Sequence, residues 1–164
     1  MSLLNEENDD SLRGKAAIYR TTAIKQKRAK RLSENERKLI ESIQSLDSKY
    51  QNLIIIVEGK RDVTVLRNLG LKAPIIKTQT RLPRSRLIEK IVAMVGKDGQ
   101  VLILTDFDRK GKEIYNFIEK ELEICGVKNL KRERRMIRKY METWTTIEQL
   151  VSLFKRSDSP EASR

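Results

Sequence analysis

Leu53-Ile54-Ile55-Ile56-Val57 are apolar without interruption. A run this short with no polar face reads as a strand buried on both sides. The pattern then changes period: Val63, Leu66 and Leu69 form a helical stripe closed by Gly70, and a second strand is expected over Pro74 to Lys77. Leu87, Ile88, Ile91, Val92 and Val95 mark another amphipathic helix ending at Gly96. Val101 to Thr105 is the third strand. Ile114, Phe117, Ile118, Leu122 and Cys125 mark a third helix stopped by Gly126, and a weak fourth strand is expected over Val127 to Leu130.

Upstream, Ser33-Glu34-Asn35-Glu36 fits a capping box, and Leu39, Ile40, Ile43 and Leu46 follow at helical spacing, so a helix should run from about Glu34 to Ser48. Downstream, Arg132 to Met141 reads as a basic helix. Thr145-Thr146-Ile147-Glu148 opens a last short helix through Phe154 by a second capping box. Strands that are apolar on both faces and alternate with helices predict an α/β protein with a parallel sheet of about four strands covered on both sides. Right-handed crossovers restrict the order, and the commonest open arrangement places the first strand between the second and the third.

Charge changes the picture next. The 164 residues hold 35 Lys and Arg against 23 Asp and Glu, a net charge of +12. Such an imbalance speaks to partners rather than fold, and nucleic acid is the expected polyanion. It is unevenly spread. Residues 1–11 carry Glu6, Glu7, Asp9 and Asp10 with no base, and are expected to be a disordered tail. Residues 12–32 carry Arg13, Lys15, Arg20, Lys25, Lys27, Arg28, Lys30 and Arg31 with no acid, either a solvated helix or a nucleic-acid arm. Residues 157–164 form a polar tail. The acidic start argues against a secretory signal, and no apolar stretch approaches the roughly 18 residues needed to span a bilayer. The expectation is a cytoplasmic protein with no membrane partner. The absence of His excludes His-dependent triads and Cys/His zinc sites, and leaves Cys125, on its apolar stripe, as an expected core thiol.

The candidate chemistry lies just beyond two of the buried strands. Glu58-Gly59-Lys60-Arg61-Asp62 follows the first, and Asp106-Phe107-Asp108-Arg109-Lys110-Gly111 follows Thr105 at the end of the third. In the expected order these strands are neighbours, so Glu58 should face Asp106 and Asp108 across the crevice where open α/β sheets bind ligands. Asp106 and Asp108 are two residues apart, which in extended chain points both the same way. Carboxylates that close raise one another's pKa unless a cation sits among them, and all-oxygen ligands suit Mg²⁺ or Mn²⁺. Gly59 and Gly111 leave room for backbone beside helix N-termini. Asp62 is expected to cap its helix rather than bind metal.

Glu58-Gly59-Lys60-Arg61-Asp62 with Leu66 and Leu69-Gly70, followed by Thr105-Asp106-Phe107-Asp108-Arg109-Lys110-Gly111, resembles the two signature motifs of the Toprim domain. The likeness covers roughly Gln51 to Leu150. Toprim domains occur in type IA and type II topoisomerases, bacterial-type primases, old-family nucleases, recombination-repair proteins and the small nuclease that matures ribosomal RNA. The resemblance implies a Rossmann-like Toprim fold, with Glu58 as general acid or base and Asp106 and Asp108 as Mg²⁺ ligands. It divides the chain into a basic helical extension over 12–50, a Toprim domain over 51–155 and a disordered tail over 156–164. Some members carry a further aspartate two residues after the pair, where this chain has Lys110, which argues against a second ion. A topoisomerase would need a tyrosine on a further large domain, and a complete primase a zinc module, so the small stand-alone Toprim proteins and the ribosomal-RNA nuclease are the nearest likeness.

Around the carboxylates, Lys60, Arg61, Arg81, Arg84, Arg86, Arg109, Lys110 and Lys112 are candidate contacts to a nucleic-acid backbone. Lys128, Lys131, Arg132, Arg134, Arg135, Arg138 and Lys139 form a second basic block. Aromatic residues are few and offer no evident base-stacking platform, with Trp144 expected to pack in the core. These features lead to a metal-dependent nuclease acting on structured RNA or DNA, with RNA processing in view. The alternative is a non-catalytic nucleic-acid-binding or accessory subunit that works with a protein partner in a processing complex. A primase-like polymerase fragment is the third reading.

Overall fold

The structure is a computed structural model that describes residues 31–155. The acidic tail over 1–11, most of the basic segment over 12–32 and the tail over 156–164 lie outside the described residues. Residues 34–151 form one compact unit, and the short helix Ser152–Lys155 belongs to a second.

Four strands make one parallel sheet in the order β2-β1-β3-β4, with β1 at Leu53–Val57, β2 at Ile75–Lys77, β3 at Gln100–Ile103 and β4 at Lys128–Asn129. The first strand lies between the second and third, as the crossover argument expects. The register pairs Ile56 with Ile76 on one side and with Ile103 on the other, so the ends of all three strands meet at one edge. Helices α1 (Glu34–Gln44) and α2 (Leu46–Lys49) precede the sheet, and α3 (Lys60–Asn68), α4 (Arg84–Val95), α5 (Arg109–Ile124) and α6 (Lys131–Met141) follow its strands in turn. A 3-10 helix spans Ile147–Val151. The helices over 34–49, expected as one, part at Ser45, which adopts helical backbone angles between α1 and α2.

Strand periodicity divides the core. Ile54, Ile56, Ile76, Val101 and Ile103 pack against Leu87, Ile88, Ile91 and Val95 of α4 and Ile118 and Leu122 of α5. The alternate residues Ile55, Leu102 and Leu104 are fully buried too, so they face the other way. The opposite layer contains α1 packed on α6, α6 on β3, and α3 against the 3-10 helix. Both faces of the sheet are thus covered, which is why β1 and β3 carry no polar side chain apart from Gln100 at the start of β3.

Two helix ends explain the punctuation in the sequence. At Gly126, φ is +75°, the N–H of Val127 donates to the Leu122 carbonyl, and that of Gly126 to Glu123. Gly70, with φ +102°, closes α3 by the same pair of bonds onto Leu66 and Arg67. This left-handed cap needs glycine. It also corrects the expectation for Cys125. The residue is the C-cap of α5 and is exposed, because the buried stripe of that helix ends at Leu122 and the chain turns away before the next repeat.

Gly99 is required for a different reason: a Cβ there would lie 2.2 Å from the Val95 carbonyl oxygen and 2.8 Å from that of Asn52. Both are backbone atoms at the entry to β3. Gly99→Ala should therefore destabilise the fold by about 3 kcal/mol, as overpacking does. Urea unfolding measures this as a lower midpoint with an unchanged slope, and divalent-ion binding by the folded protein should be unaffected.

Candidate metal centre

Because β1 and β3 are paired and parallel, the residues after them leave the sheet side by side. The Leu104 N–H still donates to the Ile56 carbonyl, and two residues further on the Asp106 N–H donates to the Glu58 carboxylate at 2.9 Å. The Glu58 side chain thus continues the ladder where the strands separate. On its other side, the Gln79 N–H donates to the Glu58 carbonyl and holds the loop after β2 against the same edge.

Asp106 and Asp108 are fixed in the same manner. Asp106 accepts from the Ile147 N–H at 2.9 Å, at the start of the 3-10 helix. Asp108 is the N-cap of α5 and accepts from the Gly111 N–H at 2.8 Å. Each of the three carboxylates ties one oxygen to a backbone N–H, which leaves its second oxygen for a ligand. One carboxylate oxygen from each of Glu58, Asp106 and Asp108 lies within 4.8 Å of the other two, so this cluster can hold a metal ion. All three donors are hard oxygens, the set that a hard divalent cation prefers.

Gly111 makes this approach possible. A Cβ at that position would lie 2.0 Å from the Asp106 carbonyl oxygen, so the first turn of α5 packs directly on the backbone of the acidic segment. The Thr105 hydroxyl donates to the Gly111 carbonyl at 3.0 Å and closes the contact from the other side. Asp62 accepts from the Gly59 N–H at 3.0 Å, which caps α3, and it is not among the three residues of the cluster.

The electrostatics record the crowding. Burial pushes the Asp106 carboxyl up. The Ile147 N–H opposes this, the charges of Glu58, Asp62 and Asp108 add to it, and the result is about 6. Burial likewise raises Asp62 against the N–H groups of Gly59 and Glu58. Ionised Asp106 is therefore disfavoured by the fold unless a cation joins it.

The basic candidates divide by position. Lys60 and Arg61 open α3, Arg84 and Arg86 open α4, and Arg109, Lys110 and Lys112 open α5, so all seven follow the C-terminal ends of β1, β2 and β3. Arg81 lies in the loop before α4. All eight are exposed. Arg61 pairs with Glu148 at 3.3 Å, Arg109 with Glu113 at 3.6 Å, and Arg84 lies 4.8 Å over the Phe117 ring.

In the second basic block, Lys128, Lys131, Arg132, Arg135 and Lys139 are exposed, but Arg134 is not. Its guanidinium donates to the Ile103 carbonyl at 2.8 Å and the Thr105 carbonyl at 3.0 Å, and sits 4.2 Å from both the Phe107 and Tyr115 rings. A backbone contact by Arg134 to nucleic acid is thereby excluded. Its spacing one turn before Ile137 and two turns before Met141 on the buried stripe of α6 is the signal that distinguishes it from its neighbours. The second capping box also differs from expectation: Gln149, not Glu148, accepts from the N–H groups of Thr145 and Thr146. Trp144 is half-buried.

Two outcomes are expected for the metal centre. Mn²⁺ should raise the melting temperature, since an ion that binds only the folded chain stabilises it by mass action. Asp106→Asn should abolish that rise and, in EDTA, melt no lower than the wild type, because it keeps the acceptor for Ile147 and removes one of the crowded charges. The pH dependence has a definite sign. Folded Asp106 holds its proton up to about pH 6, against 3.8 for an ordinary aspartate carboxyl. The stability that Asp106 contributes to the metal-free protein is therefore lost as pH rises from about 4 through 6. Mn²⁺ competes with that proton, so the stabilisation by Mn²⁺ should shrink from pH 7 to pH 5 in thermal-shift titrations.

Among the described residues, no helix is long and apolar enough to cross a membrane. No protein-family model matches the chain. It is 35% identical over 127 residues to a UPF0292 protein of Methanocaldococcus jannaschii, a match covering 76% of this chain and 93% of that protein. A UPF0292 protein of Pyrococcus horikoshii is 41% identical over 105 residues, or 62% of this chain and 74% of the relative. With a UPF0292 protein of Thermococcus onnurineus the identity is 49% over 69 residues, and the match spans 42% of this chain and about half, 48%, of that relative. Among solved structures, a protein from Aquifex aeolicus is similar with a TM-score of 0.55 at 24% identity, covering 66% of this chain and 94% of that one, which shows a shared fold. With three carboxylates at the switch point of a four-stranded parallel sheet and relatives matched over most of their length, the chain belongs to the UPF0292 protein family.

Proposed function

We propose that this chain is a Toprim-type protein that performs Mg²⁺- or Mn²⁺-dependent phosphodiester chemistry, as a nuclease on structured RNA or DNA. The observation that carries the reading is the convergence of Glu58, Asp106 and Asp108 at the edge where three helices begin. The helices add a second argument. A helix N-terminus repels cations, yet α4 and α5 open on bases with no acid in the first turn. Their positions oppose helix stability and favour an anion brought to the same edge. A phosphodiester backbone meets both requirements, since its charge suits the helix ends and bases, and its oxygens suit a bound cation.

Asp106 and Asp108 would hold the ion, with Glu58 completing the oxygen set or carrying a proton. When bound, the ion supplies Lewis-acid polarisation of a phosphoryl oxygen. The chain's own residues position the reaction. The Asp106 N–H fixes one Glu58 oxygen and leaves the other to take a proton from an attacking water or give one to the departing oxygen. In hydrolysis the water oxygen bonds to phosphorus as the bond from phosphorus to the leaving oxygen breaks, and the proton lost by the water balances the one gained by the leaving group.

Cleavage of a panel of single-stranded, duplex and hairpin RNA and DNA tests the reading. Activity should require Mg²⁺ or Mn²⁺ and vanish in Asp106→Asn and Asp108→Asn while binding persists. Glu58→Gln should lower the rate by roughly 10²-fold or more. Activity that survives EDTA would refute the mechanism. Tight binding without cleavage of any substrate would favour the accessory-subunit alternative. In either case, binding should weaken steeply with salt, by about 0.9 in the log-log slope for each phosphate neutralised on duplex DNA.

A further inference from the structure

We infer that Arg134 is the internal counter-charge of the acidic cluster, a positioning residue that holds the acidic segment after β3 beside Glu58 before any cation arrives. Three observations carry this. The guanidinium is buried and bonds the carbonyls of Ile103 and Thr105, the last residue of β3 and the residue immediately before Asp106. It is held between the rings of Phe107, which separates the two aspartates, and Tyr115 of α5. Tyr115 is itself fixed, since its hydroxyl donates to Glu119 at 3.0 Å. Arg138, one turn along α6, also lies over Phe107 at 5.6 Å. These contacts place the cation beside the acidic segment.

A guanidinium is the cation suited to this setting. It is planar, stacks on aromatic rings and loses less hydration than an ammonium when buried. Burial lowers the pKa of Arg134, attraction to Tyr115, Glu119, Asp106 and Glu58 opposes this, and at about 10 the group stays charged at neutral pH. A buried charge this costly to desolvate needs opposite charge nearby. On the far side, Glu119 is engaged by Lys131 at 3.4 Å, so that acid is shared with another base. Asp106 and Glu58 are the other acids whose charge acts on it. Among the described residues, the bases at helix starts are exposed, and Arg134 is buried behind the acidic segment.

The inference rests on the acidic cluster, and on metal binding only in its last arm. The test is a double-mutant cycle of Arg134→Met with Asp106→Asn, read as melting temperature in EDTA. Asparagine at the second position preserves the shape and the bond from Ile147 while removing the charge. With a counter-charge role, Arg134→Met should cost less in the Asp106→Asn background than in the wild type, by of order 3 °C or more, and Arg134→Lys should cost about the same in both. Equal losses in the two backgrounds would mean that Arg134 is only a backbone staple, and would overturn the inference. In the last arm, Mn²⁺ should raise the melting temperature of Arg134→Met by more than it raises that of the wild type, because the ion takes over the missing charge. A variant that stays unfolded both with Asp106→Asn and with Mn²⁺ would also overturn the counter-charge role. A coupled cycle in a protein that Mn²⁺ never stabilises would instead leave the counter-charge standing and remove the metal-site reading.

Discussion

The parallel pairing of β1 with β3 is the constraint on which the site depends. Hydrogen bonds in register from Leu53 opposite Gln100 to Ile56 opposite Ile103 fix how far each strand runs before it leaves the sheet. Past the last pair, the two chains are still close enough for the Glu58 carboxylate to receive the Asp106 N–H. A slip of one residue would turn Glu58 to the other face and bring buried leucine and isoleucine side chains to the edge. The same burial that specifies the register through Ile54, Ile56, Val101 and Ile103 therefore also specifies the distance between the carboxylates. Core packing and site geometry are a single requirement here.

Much of this was legible in the chain because β1 and β3 are buried on both faces. A strand with no polar side is unmistakable at five residues, and Leu53 to Val57 has the limits its apolar run suggests. The helix ends were legible because Gly70, Gly96 and Gly126 all adopt positive φ. The approach of Glu58 to Asp106 and Asp108 followed from strand order, itself a consequence of crossover handedness.

Other features were not legible, for physical reasons. The burial of Cys125 depends on whether α5 continues for one more repeat, and a single glycine cap decides that. Gln149 and Glu148 are both able to close a capping box, and only the path of the chain into the 3-10 helix selects Gln149. Arg134 was hidden within a run of bases, since burial of a cation depends on what lies across from it in space. Its partners Phe107 and Tyr115 are distant in sequence. The bond from Ile147 to Asp106 likewise joins a late turn to the site, and no local pattern announces it.

Among the described residues, bases thus serve two unrelated ends. Bases that open α3, α4 and α5 remain in high dielectric, where each contributes little to stability and several opposite a polyanion contribute much to association. Arg134 sits in low dielectric, where a charge without partners would be expelled. It is retained because the edge of the sheet presents the carbonyls of Ile103 and Thr105 to it, with the rings of Phe107 and Tyr115 beside its guanidinium. The site is consequently a compromise: Arg134 lies beside the acidic segment, the N–H groups of Asp106, Gly111 and Ile147 each engage one carboxylate oxygen, and burial, with the charges of Glu58, Asp62 and Asp108 added, still holds the Asp106 pKa up at about 6. Under the proposed function, a divalent cation would relieve that burial and crowding. Full neutralisation from within would leave an ion little to gain, so a partial counter-charge is the arrangement that the proposed cation site calls for.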